Sequence, residues 1–206
     1  LTKLQTFNLV LAVSDTFNLK NAKRTVKQSK NELVSIIHDA KADARNIHVV
    51  LGTVFGCPYE GSISTTKVLQ LIEDFLELGI EEITLADTTG LANPLQVESL
   101  CAAVFNQFGS TTPLGLHFHN TRGLGLANAL AGLKSGVIRF DSSIGGIGGC
   151  PFAPKAVGNI CTDDFIYMLN GMNYETGIDL EKIIDTSIAL EQQLGRTLEG
   201  MIMKTR

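Results

Sequence analysis

Residues 82–120 read EITLADTTGLANPLQVESLCAAVFNQFGSTTPLGLHFHN. A short apolar run, Glu82–Ala86, is followed by the polar turn Asp87-Thr88-Thr89. A helical pattern over Leu95–Phe108 then leads into a second apolar run, Leu114–His119. Runs of this kind, rich in Val, Ile, Leu and Phe, read as parallel strands covered on both faces. The alternation continues outward, with Asn8–Val13 and His48–Val54 upstream and Val137–Ser142 downstream. Within Thr65–Leu78, apolar Val68, Leu71, Ile72, Phe75 and Leu76 recur at steps of three and four, with Glu73 and Glu77 on another face. Gly79 supplies a stop signal. Further helices are expected at Thr121–Leu133, Thr162–Leu169 and Leu180–Gln193. Strand starts lie about 40, 34, 32 and 23 residues apart, near the ~30 residues of a βαβ unit.

Strands alternating with helices make a parallel α/β sheet. Both an open doubly wound sheet and a closed (β/α)₈ TIM barrel satisfy the pattern. The strand ends favour the barrel: Ser14-Asp15, Thr53 with Phe55-Gly56-Cys57, Asp87-Thr88-Thr89, His117-Phe118-His119-Asn120 and Ser142-Ser143 are polar or small. In a barrel that C-terminal face carries the chemistry. No low-complexity linker interrupts residues 1–206, so one domain is expected. Five of eight βα units are visible, which leaves a barrel short by roughly three units, on the order of 90 residues. The opening Leu1-Thr2-Lys3 has neither an initiator Met nor a leader pattern. The natural N-terminus is therefore expected to lie upstream.

Composition sets the outer bounds. With 44% hydrophobic and 18% charged residues in 206, the chain can bury a core and is not disordered. Its 20 glycines follow no collagen period. A net charge of −4 argues against a nucleic-acid binder, and no Trp with 6% aromatics argues against a base-stacking platform. No apolar run approaches the length of a spanning helix, so no membrane partner is expected. Cys57, Cys101, Cys150 and Cys161 show no C-x-x-C spacing and read as reduced intracellular thiols.

His117 and His119 are the sharpest chemical feature. Residues two apart on a strand share a face, roughly 6.6 Å apart, so two imidazoles there can converge on one metal ion. The alternative is a hydrogen-bonded structural pair, but burying two imidazoles for packing alone leaves polar atoms in need of partners. His38 and His48 read as structural. The second feature is Gly145–Pro154, GGIGGCPFAP. Four glycines in five residues permit unusual backbone angles and close approach to a ligand. The spacing does not fit a dinucleotide cradle, and the segment reads as an active-site lid. Cys150 on that lid is either a packed turn residue or an acid–base group over the pocket.

The runs Gly115–Asn128 (GLHFHNTRGLGLAN), Gly145–Asn159 (GGIGGCPFAPKAVGN) and Phe55–Gly61 (FGCPYEG) together resemble the 3-hydroxy-3-methylglutaryl-CoA lyases. These belong to a superfamily of metal-dependent (β/α)₈ lyases and Claisen-type synthases. The resemblance implies divalent metal ligation, by Mg²⁺ or Mn²⁺, through His117, His119 and Asn159. It implies an active-site role for Asp87, proton transfer by His117, and Cys150 as the lid cysteine. It further implies an acyl-CoA substrate, cleavage of 3-hydroxy-3-methylglutaryl-CoA to acetyl-CoA and acetoacetate, and a homo-oligomer, dimer or larger. The compartment would be the cytoplasm, or the mitochondrial matrix in a eukaryote. A related acyl-CoA synthase or aldolase, or an inactive fragment, are the rival readings.

Three departures stand out. The family's Arg-Asp pair occurs nowhere in this chain, and a second-strand Glu is missing with it. Asn120 replaces the Asp usual after the histidine pair, as in the synthases, and Asp163 replaces a Glu. Asp87 has a second reading as an Asx-turn or cap residue. Lys20, Lys23, Arg24 and Lys27 fall at helical spacing, a basic stripe that either meets coenzyme A phosphates or is a solvated face. Cys57-Pro58-Tyr59 echoes Cys150-Pro151-Phe152 and is assigned no chemistry.

Overall fold

The computed structural model describes residues 4–149 and 157–206. Cys150 and the rest of the expected lid through Pro154 lie outside the described residues. Five strands, β1 Thr6–Ala12, β2 Asn46–Gly52, β3 Glu82–Asp87, β4 Leu114–Phe118 and β5 Arg139–Asp141, form one sheet in the order β1-β2-β3-β4-β5. Every pairing is parallel. Each strand lies beside its successor in sequence, whereas a doubly wound sheet reverses its strand order part-way. The progression is that of a (β/α)₈ barrel, with five of its strands in this chain.

Helices link the strands. They are α1 Asp15–Ala22 and α2 Val26–Ala42 after β1, α3 Thr65–Leu76 after β2, α4 Pro94–Phe108 after β3 and α5 Gly125–Lys134 after β4. A short 3₁₀ turn, Ile144–Gly146, then α6 Thr162–Gly171 and α7 Leu180–Leu194 follow β5. Among the described residues, no helix is long and apolar enough to cross a membrane.

The two faces of the sheet differ. Toward the helices point Leu11, Ile47, Val49, Leu51, Ile83, Leu85, Leu116 and Phe118, all essentially inaccessible. They pack with Val68, Ile72 and Phe75 of α3 and Val97, Cys101 and Val104 of α4 in one core. The opposite face carries Asn8, His48, Glu82, Thr84, His117, Arg139 and Asp141, related through the strand register. One face is an apolar core; the other, the lumen side of a barrel sheet, mixes these polar residues with Val10, Val50 and Ala86. On it Arg139 pairs with Glu82 at 3.1 Å.

Two local expectations also change. The basic residues near the N-terminus do not share one helix. Lys23 ends α1 in the left-handed conformation (φ 58°), and Thr25 starts α2 with a reciprocal capping box to Gln28. Arg24 pairs with Glu32 at 3.1 Å and Lys20 sits 4.8 Å from the Tyr59 ring centroid, so the stripe is broken. Helix α5 begins later than expected because Asn120 Oδ1 accepts the Gly125 N–H at 3.1 Å, holding residues 120–124 in a turn.

Candidate metal centre

Parallel register builds the site. His117 is the direct Cα partner of Ala86 on β3 and Asp141 on β5. His119, one residue past β4, is 8% exposed and pairs with Asn159 in an antiparallel bridge. The segment around Asn159 is held on both sides: Asn120 N–H donates to Gly158 O and Ile160 N–H to Phe118 O, each at 3.0 Å, and Ser143 N–H donates to Ile160 O at 3.1 Å. It thus lies between the ends of β4 and β5. The approach is close enough that a Cβ on Gly158 would fall 1.5 Å from Gly146 O.

The two imidazoles face one another with Nε2···Nε2 at 3.3 Å. Their outer nitrogens are both engaged, His117 Nδ1 with Asp141 Oδ2 at 3.2 Å and His119 Nδ1 with the Val157 carbonyl at 3.3 Å. A carbonyl only accepts, so neutral His119 carries its proton on Nδ1 and presents a lone pair at Nε2. Burial pushes the His119 imidazole below its ordinary value, against the pull of the Val157 bond and with the help of neighbouring His117. This favours the neutral, ligating form.

Asn159 donates from Nδ2 to Ile147 O at 3.1 Å. Its Oδ1 is buried and has no partner among the described residues. An orphaned amide oxygen is costly, and a cation would satisfy it. His117, His119 and Asn159, the predicted ligand set, are thus drawn together at the end of β4. Their donor atoms suit a divalent ion.

Asp87 is placed elsewhere. Its register partner is Phe118, which puts it on the helix-facing side, and it is 1% exposed. Oδ1 accepts the Leu91 N–H at 2.8 Å and Oδ2 the Ala92 N–H at 3.0 Å. This is the turn-and-cap arrangement, and it holds the loop after β3. Burial pushes the carboxyl up to about 6, against the Ala92 and Leu91 amides and Arg122.

Cys161, Asp163 and Asp164 also bring ligand-type atoms within 4.8 Å of one another. These groups already bind one another and neighbouring donors. Asp163 accepts from Cys161 Sγ, from Ser187 Oγ at 3.1 Å and from Met203 N at 3.3 Å. Asp164 accepts the Met201 and Ile202 amides at 2.9 and 2.7 Å. Burial first, then the carboxylates, push the Cys161 thiol far up, so it remains protonated. The cluster is a docking point for the C-terminal segment, which also sends Leu198 against Gly145 and the Glu199 N–H to Gly145 O at 3.1 Å.

Asp141 and the Val157 carbonyl were not foreseen from sequence. Asp141 ends its strand as His117 nearly ends its own, but only the β4–β5 register places them side by side.

A family model described as HMGL-like matches residues 2–189. The chain belongs to the HMGL-like family. It is 43% identical over 201 residues to an (R)-citramalyl-CoA lyase of Chloroflexus aurantiacus, covering 98% of this chain and 63% of that protein. It is 40% identical over 188 residues to a hydroxymethylglutaryl-CoA lyase of Bacillus subtilis, covering 91% and 62%. It also matches the structure of an HMG-CoA lyase from Acinetobacter baumannii in complex with coenzyme A and 3-methylmalate. The TM-score is 0.92 at 44% identity, over 97% of this chain and 65% of that one. The chain therefore spans a little under two thirds of these HMGL-like relatives.

Proposed function

We propose that this chain forms the metal-holding part of a carbon–carbon lyase acting on a 3-hydroxy-3-methyl acyl-CoA, with 3-hydroxy-3-methylglutaryl-CoA as the parent substrate. The observation that carries the reading is the His117–His119 pair, Nε2 atoms 3.3 Å apart and both Nδ1 atoms engaged. His117, His119 and Asn159 would hold Mg²⁺ or Mn²⁺. Bound there, the ion would polarise the substrate's hydroxyl and carboxylate oxygens.

The chemistry asks two proton movements of the chain. The hydroxyl proton leaves as the C2–C3 bond breaks, its electron pair passing to C2 as the thioester enolate, and a proton then returns to C2. We assign the return to Cys150 on the glycine-rich lid and the removal to His117. With Nδ1 engaged by Asp141, His117 has one atom, Nε2, for either ligation or proton transfer, so the two roles exclude one another at any instant. Asp87 supports the loop beside the site through its two amide bonds.

A second substrate has its own support, since the citramalyl-CoA lyase of Chloroflexus shares 43% identity across nearly the whole chain. Citramalyl-CoA has one methylene fewer between carbinol carbon and distal carboxylate, and would yield pyruvate in place of acetoacetate. A methylene is worth about 1–3 kcal/mol of discrimination, or roughly 10–200-fold. Both thioesters should be offered to the protein with Mn²⁺ and acetyl-CoA, acetoacetate and pyruvate measured. Release of acetyl-CoA from either supports the lyase, and the larger kcat/KM identifies the substrate. Thiol release from acetyl-CoA with a 2-oxo acid, and no cleavage, would instead establish a synthase. His119→Ala should lose activity by orders of magnitude, and unchanged turnover in metal-replete buffer would overturn the ligand assignment.

A further inference from the structure

The ligand set just described is electrically neutral: two imidazoles and an amide. The carboxylate attached to it is that of Asp141, bonded to the far nitrogen of His117. We infer that Asp141 is a positioning residue for the metal centre. Its bond to Nδ1 keeps the His117 proton away from Nε2, so both histidines turn lone pairs to the same point. The inference rests on the metal reading of the histidine pair.

The argument concerns where one proton sits. A neutral imidazole has a single N–H, and its position is set by which nitrogen faces an acceptor. His119 is decided by the Val157 carbonyl, which leaves a lone pair on its Nε2. His117 has two acceptors within reach: Asp141 Oδ2 at 3.2 Å from Nδ1, and the His119 Nε2 lone pair at 3.3 Å from its own Nε2. If the proton goes to the second, the two rings bond to each other and both metal-binding nitrogens are consumed. If it goes to Asp141, both remain free. A carboxylate is the stronger acceptor, so its presence selects the open arrangement.

Backbone register puts Asp141 in position. His117 and Asp141 are direct Cα partners on adjacent parallel strands and share a face. β5, only three residues long, ends on Asp141. The His117 side chain is 24% exposed and that of Asp141 is 55% exposed. An exposed ion pair with no further role is the alternative to be tested.

The test uses the metal-free protein and its Asp141→Ala, Asp141→Asn and His119→Ala variants. Mn²⁺ affinity is read from the EPR signal of free ion, and the histidine tautomers from ¹⁵N chemical shifts without metal. Asp141→Ala should weaken Mn²⁺ binding about 10–100-fold, the usual cost of removing such a partner, and move the His117 proton to Nε2. Asp141→Asn retains an oxygen acceptor for Nδ1–H and should recover most of the affinity and the original tautomer. It also serves if the alanine protein fails to fold. Wild-type affinity and an unchanged tautomer in Asp141→Ala, with binding lost in His119→Ala, would overturn the inference alone. An asparagine variant that keeps the His117 proton on Nδ1 yet binds Mn²⁺ as weakly as the alanine one would show that charge, rather than proton placement, is what matters, and would overturn it too. Full Mn²⁺ binding by His119→Ala would instead overturn the metal reading beneath it.

Discussion

At Asp87 two demands act on one carboxyl. The amides of Leu91 and Ala92 favour the charged form, and near-complete burial opposes it more strongly, raising the group from 3.8 to about 6. A raised value in the folded state means that the folded protein binds the proton more readily than the unfolded chain. The stabilisation is then fully present below pH 3.8 and is lost as pH rises through about 6. Relative to Asp87→Asn, wild-type unfolding free energy should fall by up to roughly 3 kcal/mol across that window. Urea unfolding of both proteins at several pH values checks this, and a pH-independent difference would refute it. The family resemblance implies an active-site role for Asp87, with a turn residue as the alternative. Register decided its face, because its neighbour across the sheet is Phe118 rather than His117.

Among the elements, the segment 157–160 depends most on its neighbours. It has no helical or strand periodicity of its own, and what orders it is the bonding to Phe118, Asn120 and Ser143. Gly158→Ala should force it away from Gly146, where the added carbon would fall 1.5 Å from the carbonyl oxygen. The expected result is destabilisation by more than about 2 kcal/mol together with loss of Mn²⁺ binding, read by thermal melting and EPR. Unaltered metal affinity would mean that Asn159 reaches its place independently of this contact. Helix α4 is more self-sufficient. Asn93 and Gln96 cap it reciprocally, and Asn93→Ala should cost about 1 kcal/mol in chemical unfolding with no change in metal affinity. The start of α2 was equally readable in principle, since Thr25-Val26-Lys27-Gln28 has capping-box spacing. The helical spacing of Lys20, Lys23, Arg24 and Lys27 carries no sign of the break between the two helices.

On the scale of the molecule, the C-terminal strap ties the last helices to the start of the glycine-rich loop. Leu198 covers Gly145, and the amides of Met201, Ile202 and Met203 end on Asp163 and Asp164. Asp164→Ala should therefore speed amide exchange at residues 198–205 and at 143–147, leaving β2 and β3 protected. Exchange confined to the strap would show that it does not brace the glycine-rich loop. The open polar face of the sheet, with Glu82, Arg139, His117 and Asp141 in its layers, belongs to this scale as well.

The chain's own order of residues was enough to determine the alternation of strand and helix, the barrel class and the convergence of His117 with His119. These follow from local periodicity and from the two-residue repeat of a strand. Tertiary structure decided which polar residues belong together. Asn159 lies 40 residues beyond His119 and Asp141 lies 24 beyond His117. Only parallel register and the return of segment 157–160 bring them to the two imidazoles. Hydrogen bonds did the rest, showing Asp87 holding the Leu91 and Ala92 amides of its loop and the Asp163–Asp164 pair holding the C-terminal segment.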